Sequence, residues 1–166
     1  MEGDFLTAAQ LLLSRRPLQT FLCLMLLSWP ALQRCHAQEG TKPSTCSLTV
    51  RVVGLRNSKG IVGIAVFNNT SGFPEDSTRA FKAKEAEIMG AEVEVVFLDL
   101  PPGTYAVSIR HDENRNGKLD KNVFGIPKEG YGASNNPPLT RRAPNFEESK
   151  FNLTGPAQTI EIKVHY

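Results

Sequence analysis

The chain has 166 residues, which suits a single domain, and its 19 Lys and Arg residues nearly balance its 17 Asp and Glu residues, giving a formal net charge of +2. This balance argues against a nucleic-acid-binding protein, which depends on a strong positive field. A charged fraction of 22% beside 40% hydrophobic residues is ordinary for a folded domain and argues against wholesale disorder. The chain also lacks the P-loop, the HExxH zinc motif and the GxSxG nucleophile motif.

The N-terminal segment has the pattern of a secretory signal peptide. Arg15 and Arg16 precede the apolar run 21–27, which is too short to span a bilayer. Cys35 and Ala37 then occupy the −3 and −1 positions before a cleavage site. We therefore predict cleavage after Ala37, although the paired arginines leave the twin-arginine route open beside the general secretory route.

This cleavage site predicts the organisation of the chain. Residues 1–37 are the signal peptide, residues 38–45 are a polar linker, and residues 46–166 form one domain that is periplasmic or secreted and has no membrane span. Cys46 is the one cysteine left in the mature chain, so no internal disulfide can form. We interpret it as an incidental residue before the first strand, and the alternative is an intermolecular link.

The first half of the domain is predicted to form strands. Apolar and polar residues alternate over 48–52, which indicates a half-buried strand. The nearly continuous apolar run 61–67 predicts a central strand that is covered on both faces. Asp76 or Ser77 can cap one helical turn, and residues 82–88 fit either a strand or a short helix.

The second half continues this pattern. Residues 91–98 alternate, a Pro-Pro-Gly turn follows, and residues 105–109 alternate again. Weaker strand signals cover residues 151–153, and a clear alternation covers residues 160–164. Six or seven short strands without a long helix predict an all-β fold, an antiparallel β-sandwich of the immunoglobulin-like or prealbumin-like kind. The predicted buried core is Leu48, Val62, Ile64, Val95, Phe97, Tyr105, Val107, Ile109, Ile160 and Ile162.

A long polar loop, from Asp112 to about Glu148, is predicted to be ordered and to form the working surface, because structureless loops of this length are usually functional. It begins with the spacing D-x-N-x-N-G-x-x-D, which places oxygen donors and a glycine where calcium loops need them. The predicted calcium ligands are the side chains of Asp112, Asn114, Asn116 and Asp120, the backbone carbonyl of Lys118 and, from outside the motif, Glu129.

The loop differs from an EF-hand in two respects. A strand precedes it where a helix would stand, and Val123 occupies position 12, where an EF-hand has a bidentate Glu. We therefore expect a weak site, with a Kd of about 10⁻⁴–10⁻³ M. The alternative is a metal-free turn, because Asp and Asn side chains also bond to their own backbone. Zinc is not expected, since His111 and His165 fall on opposite sheet faces by parity.

Three segments carry a resemblance to a known family. Residues 98–107 (LDLPPGTYAV), 111–120 (HDENRNGKLD) and 124–132 (FGIPKEGYG) resemble the bacterial family catalogued as domain of unknown function 2141. The resemblance covers nearly all of residues 46–166. It implies an exported protein and brings no assigned activity. The Pro-Pro-Gly-x-Tyr turn is also similar to that of transthyretin-like and carboxypeptidase-regulatory-like sandwiches, which supports the fold but not a function.

Two functions follow from these patterns. The first is a monomeric, non-enzymatic envelope module, in which the calcium-bound loop presents Tyr131, Asn135 and Asn136 to a glycan, a peptide or an envelope protein. The second is a metal- or carboxylate-dependent hydrolase, which is disfavoured because the sequence contains no evident nucleophile–base pair. An accessory subunit that packs through a sheet edge is a third, purely structural, alternative.

Overall fold

The structure, a computed structural model, describes residues 45–138 and 142–166, which belong to one compact unit. The predicted signal peptide and all but the last residue of the predicted linker lie outside the described residues. None of the described helices is long and apolar enough to cross a membrane. The elements are β1 (Cys46–Val53), β2 (Ile61–Phe67), a 3₁₀ turn (Ser77–Arg79), β3 (Lys82–Glu87), β4 (Glu92–Leu100), β5 (Gly103–Asp112), β6 (Gly130–Ala133), α1 (Phe146–Ser149), β7 (Phe151–Leu153) and β8 (Ala157–Lys163).

The strands form two sheets, which confirms the predicted all-β sandwich. One sheet has three strands in the order β4-β1-β8, and the other has five, with the path β3-β2-β5-β6 and β7 also paired with β5. Every strand pair is antiparallel except β1 with β8, which run parallel. The segment 82–88, for which the sequence allowed a strand or a helix, forms β3, and Asp76 caps the 3₁₀ turn as predicted.

The main core lies between the two sheets. Side chains alternate along a strand, so β2 directs Val62 and Ile64 inward while β5 directs Val107 and Ile109 inward against them. The predicted core is buried with one exception. Ile160 is half-buried, because β8 is an edge strand of the three-stranded sheet and is covered on fewer sides.

A smaller cluster covers part of the outer face of the five-stranded sheet. The ring of Phe73 lies edge-on between those of Phe67 and Phe146, at centroid distances of 5.3 Å and 5.9 Å. Ser108 is also buried on this face and donates a hydrogen bond to the carbonyl of Pro74 at 2.8 Å. The prediction that residues 61–67 are covered on both faces is therefore confirmed.

The predicted loop from Asp112 to Glu148 is wrong in its extent. Residues 130–133 form β6 and residues 146–149 form α1, which Asn145 caps. The sequence Gly-Tyr-Gly-Ala carries little intrinsic strand preference, and pairing with β5 makes it a strand.

The prediction that Cys46 precedes the first strand is also wrong. It is the first residue of β1, lies opposite Leu100 and is 2% exposed, with its thiol free. A free cysteine in a core behaves as a small apolar residue. Its burial argues against an intermolecular disulfide.

Candidate functional site

The candidate calcium loop starts where β5 ends. Asp112 is the last residue of β5, pairs with Ile61 and is fully buried. Its two carboxylate oxygens accept hydrogen bonds from the backbone N–H groups of Asn116 at 3.0 Å and Gly117 at 2.7 Å. Gly117 has a φ of +75°, a conformation that glycine adopts without strain. The chain therefore curls around the Asp112 carboxylate.

The two asparagines of the motif continue this curl. The side-chain oxygen of Asn114 accepts from the N–H of Asn116 at 3.0 Å, and that of Asn116 accepts from the N–H of Lys118 at 2.8 Å. The amide nitrogens of Asn114 and Asn116 each donate to a different oxygen of Asp120 at 2.8 Å. All the predicted side-chain ligands of the motif thus lie in one hydrogen-bonded loop.

Glu129 closes the base of this loop. It is 5% exposed and directly precedes β6. Its two carboxylate oxygens accept from the backbone N–H groups of Glu113 at 2.9 Å and Asp120 at 3.0 Å. The structure thus brings Glu129, predicted as a ligand from outside the motif, into contact with both ends of the motif.

The carboxylates among the predicted ligands are not held by ion pairs. Within residues 45–138 and 142–166, the carboxylates of Asp112, Asp120 and Glu129 form no ion pair. Each faces N–H donors instead. Among those same residues, no group of three or more His, Cys, Asp or Glu side chains is arranged to hold a metal ion.

Two ion pairs tie the loop to the sandwich. Arg56 donates to Glu113 at 2.6 Å, and this hydrogen bond holds the pKa of the Glu113 carboxyl below its usual value. Arg115 donates to both carboxylate oxygens of Glu87 at 2.8 Å and 2.6 Å, and this hydrogen bonding lowers the pKa of Glu87. Both arginines next to the loop therefore form their ion pairs with carboxylates other than the predicted ligands.

A cleft of about 590 Å³ lies beside the loop, on the outer face of the five-stranded sheet. Its floor includes small residues of β2 and β5, among them Gly63, Ala65 and Ser108. Its walls come from the loop after β2, the loop after β5 and residues 142–144.

Arg110 lies on the floor of the cleft. Its side chain is 17% exposed and lies against Gly63, where an added Cβ would stand 3.0 Å from the guanidinium carbon. It donates to Glu85 at 3.1 Å, and its Nε is buried without a hydrogen-bond partner. Arg110 is not among the residues predicted from the sequence to form the site. The pairing of Gly63 with Arg110 depends on strand register, and no local signal marks it.

The predicted binding face is divided by the structure. Tyr131 lines the cleft. Asn135 and Asn136 have φ values of +65° and +46°, and their side-chain amides donate to the backbone carbonyls of Lys150 at 2.9 Å and Glu161 at 3.0 Å. These two asparagines therefore hold the segment after β6 to the backbone at Lys150 and at Glu161.

The two histidines have separate surroundings. His111 is fully buried, and its ring nitrogens lie 2.6 Å from the Tyr166 hydroxyl and 2.7 Å from the Lys59 carbonyl. The carbonyl can only accept, so Nε2 carries the proton and Nδ1 accepts from Tyr166. The ring of His165 lies instead beside that of Tyr131, at a centroid distance of 6.4 Å.

Comparison with known proteins identifies the family. No curated protein and no solved structure matches the chain, so the likeness to transthyretin-like sandwiches stays a prediction. A family model described as "Uncharacterized protein conserved in bacteria (DUF2141)" matches residues 50–161. The match includes both the loop and most of the residues that line the cleft, and it spans more than half of the chain. The chain therefore belongs to the DUF2141 family of bacterial proteins.

Proposed function

We propose that the protein is an exported, non-enzymatic binding module whose loop 112–120 binds calcium, with Glu129 at the base of the site. The observation that carries this proposal is the burial of Asp112 and Glu129 without a basic partner among the described residues. Buried charges in proteins are usually paired or coordinate metals. Calcium selects carboxylate and carbonyl oxygens, which are the donors that this loop contains.

The hydrogen bonds within the loop are compatible with a bound cation. The side-chain oxygens of Asp112, Asn114 and Asn116 each accept an N–H group. An sp² oxygen has two lone pairs, so each retains one for an ion. Lys118 would add a backbone carbonyl, and Asp120 stands at the position that often binds through water.

The non-enzymatic part of the proposal rests on how the carboxylates are held. Asp112 and Glu129 each accept two backbone N–H groups and lie below the surface. A general base needs hydrogen-bond access to a substrate proton. A carboxylate that is buried and held by a backbone N–H at each oxygen suits an ion site or a structural loop better than catalysis.

A thermal melt tests the calcium site. A ligand with a Kd near 10⁻⁴ M, present at about 1 mM, stabilises the folded state by roughly 1.4 kcal/mol. We expect the Tm to rise by several degrees in calcium relative to chelator, and by less in magnesium, which requires stricter octahedral geometry.

A pair of variants makes this test specific. Asp112→Ala should abolish the calcium response and leave a folded protein, whereas Glu147→Ala, which removes an exposed carboxylate on α1, should keep it. Identical melting curves in calcium and in chelator, together with no calorimetric heat at millimolar calcium, would contradict the site. The loop would then be a metal-free turn.

The exported location rests on the leader pattern and has its own test. Mass spectrometry of the protein from its bacterial host should show a mature N-terminus near Gln38. A soluble cytoplasmic form that retains residues 1–37 would contradict export, without bearing on the calcium site.

A further inference from the structure

We propose that the cleft binds a peptide segment in which acidic residues lie beside apolar ones. The inference deepens the proposed function, since it names the ligand of the binding module. It rests on that function only in requiring a binding role, and calcium enters because the candidate calcium loop forms one wall of the cleft.

The size and floor of the cleft suit a ligand. Its volume of about 590 Å³ falls within the range of about 300–1,000 Å³ that ligand sites occupy. The depth comes from small residues at outward positions of the sheet, such as Gly63 and Ala65 on β2. Larger side chains at these positions would fill the space.

The charge of the cleft favours an anion. Among the described residues that line it are four basic side chains and one carboxylate. That carboxylate, Glu75, pairs with Lys121 at 2.7 Å. The ammonium group of Lys118 makes no ion pair or hydrogen bond with any described residue. Arg110 and Arg142 pair in turn with Glu85 and Glu148, so Lys118 is the lining cation that no described carboxylate offsets, and charge complementarity favours a negatively charged partner beside it.

Arg110 gives the floor a directional anion donor. A guanidinium group forms paired, charge-assisted hydrogen bonds with a carboxylate. The two terminal nitrogens of Arg110 donate to Glu85 at 3.1 Å and to Ser77 at 3.4 Å, while its Nε is buried without a partner among the described residues. A ligand carboxylate on the floor would give this donor a partner once the Arg110 side chain turned its Nε towards the cleft.

Apolar side chains beside these cations distinguish a peptide from an acidic polysaccharide. Phe124 and Ile126 are 84% and 59% exposed, and both border the cleft together with Lys118 and Lys121. Exposed apolar groups next to a recessed site mark interaction surfaces. A neutral glycan offers no charge, and a polyuronate offers no apolar side chain. A peptide with Asp or Glu next to Leu or Phe offers both.

Fluorescence anisotropy with labelled peptides of equal length tests the proposal. The probes alternate Glu with Leu or Asp with Phe, and their matched counterparts carry Gln, Asn or Lys in place of each acid. We expect the acidic peptides to bind about tenfold more tightly than the neutral ones, because each loses a charge-assisted contact when the acid is replaced. Polygalacturonate serves as the acidic polysaccharide competitor and should displace them poorly.

Variants locate the binding within the cleft. Arg110→Gln and Lys118→Gln should each weaken the acidic peptides about tenfold, and the second change leaves the backbone carbonyl of Lys118 in place. Arg51→Gln is the matched control, because Arg51 pairs with Glu94 at 3.8 Å on the three-stranded sheet, outside the cleft. It should leave the affinity unchanged.

Several results would overturn the inference. These are equal binding of acidic and neutral peptides, no binding of any acidic peptide, tighter binding of polygalacturonate, or equal losses in Arg51→Gln and Arg110→Gln. The titration is run in calcium and in chelator, and melts are recorded alongside. Peptide binding without any calcium response would contradict the calcium site and keep the cleft, while a calcium response without peptide binding would do the reverse.

Discussion

The two faces of the five-stranded sheet use the same strands for different purposes. At the inner positions β2 and β5 carry large apolar side chains, namely Val62, Ile64, Val66, Tyr105, Val107 and Ile109. At the outer positions that border the cleft they carry small or polar side chains, namely Gly63, Ala65, Ser108 and Arg110. Alternation along an extended chain separates these sets by one residue. The packing that stabilises the sheet is therefore concentrated on its inner face, while the recessed and charged cleft lies on its outer face.

Neighbouring residues of β5 provide the most direct test of this difference between the two faces. Ile109→Ala should cost roughly 2–5 kcal/mol in the free energy of unfolding, because it leaves a cavity between the sheets. Ser108→Ala, one residue away on the outer face, removes one hydrogen bond to Pro74 and should cost about 0.5–1.5 kcal/mol. Urea denaturation measures both values. Equal costs would show that the outer face is as tightly packed as the inner one.

Two glycines of similar conformation compare the end of the sheet with the open loop. Gly60 and Gly117 have φ values of +73° and +75°, so Ala at either position costs about 1–2 kcal/mol in backbone strain. A Cβ at Gly60 would also collide with the backbone of Asp112, whereas one at Gly117 meets nothing within 4 Å. Gly60→Ala should therefore be more destabilising than Gly117→Ala by about 1–3 kcal/mol in denaturant melts. Comparable losses of stability in the two variants would mean that the backbone at Asp112 shifts at little cost to accommodate the added Cβ.

The hydroxyl of Tyr166 tests the polar end of the inner face. It donates to the buried Nδ1 of His111 and accepts from the N–H of Arg56 at 3.0 Å. Tyr166→Phe should cost about 1–3 kcal/mol in the free energy of unfolding, because a buried ring nitrogen loses its partner. The control is Tyr131→Phe, whose hydroxyl forms no hydrogen bond with the described residues, and a calorimetric melt of each variant provides the comparison. Equal Tm values for the two variants would show that the Tyr166 hydroxyl adds nothing measurable to stability.

The smallest expected effect is the pH response of the brace between the loop and the sandwich. Arg56 holds the pKa of Glu113 below its usual value of 4.5. The stabilisation from this pair is therefore complete above about pH 4.5 and is lost as the pH falls through the lowered pKa. Between about pH 5 and pH 3, the free energy of unfolding of the native chain should therefore fall more steeply than that of Glu113→Gln.

The control for this pH series is Glu161→Gln, because the Glu161 side chain makes no ion pair with the described residues. Its denaturation midpoints should follow those of the native chain through the acid range. Parallel curves for the native chain and Glu113→Gln would instead show that the brace adds nothing to stability.

Much of the fold could be predicted because its causes are local. The alternation over 91–98 predicts which side chains of β4 face the core, and Val93, Val95 and Phe97 are buried there. The spacing of Asp112, Asn114 and Asn116 likewise reflects bonds to backbone groups only a few residues away. Patterns of this kind need no knowledge of the rest of the chain.

Tertiary structure alone decided the remaining features. Residues 130–133 are a strand because β5 pairs with them, and Ile160 stays half-buried because β8 lies at a sheet edge. The cleft lies where strand register sets Arg110 against Gly63 and the loop after β5 stands beside them. The sequence therefore specifies most of the strands, most of the inner core and the hydrogen bonds within loop 112–120, since each depends on neighbours along the chain. The cleft depends on contacts between residues far apart in sequence, and only folding brings these together.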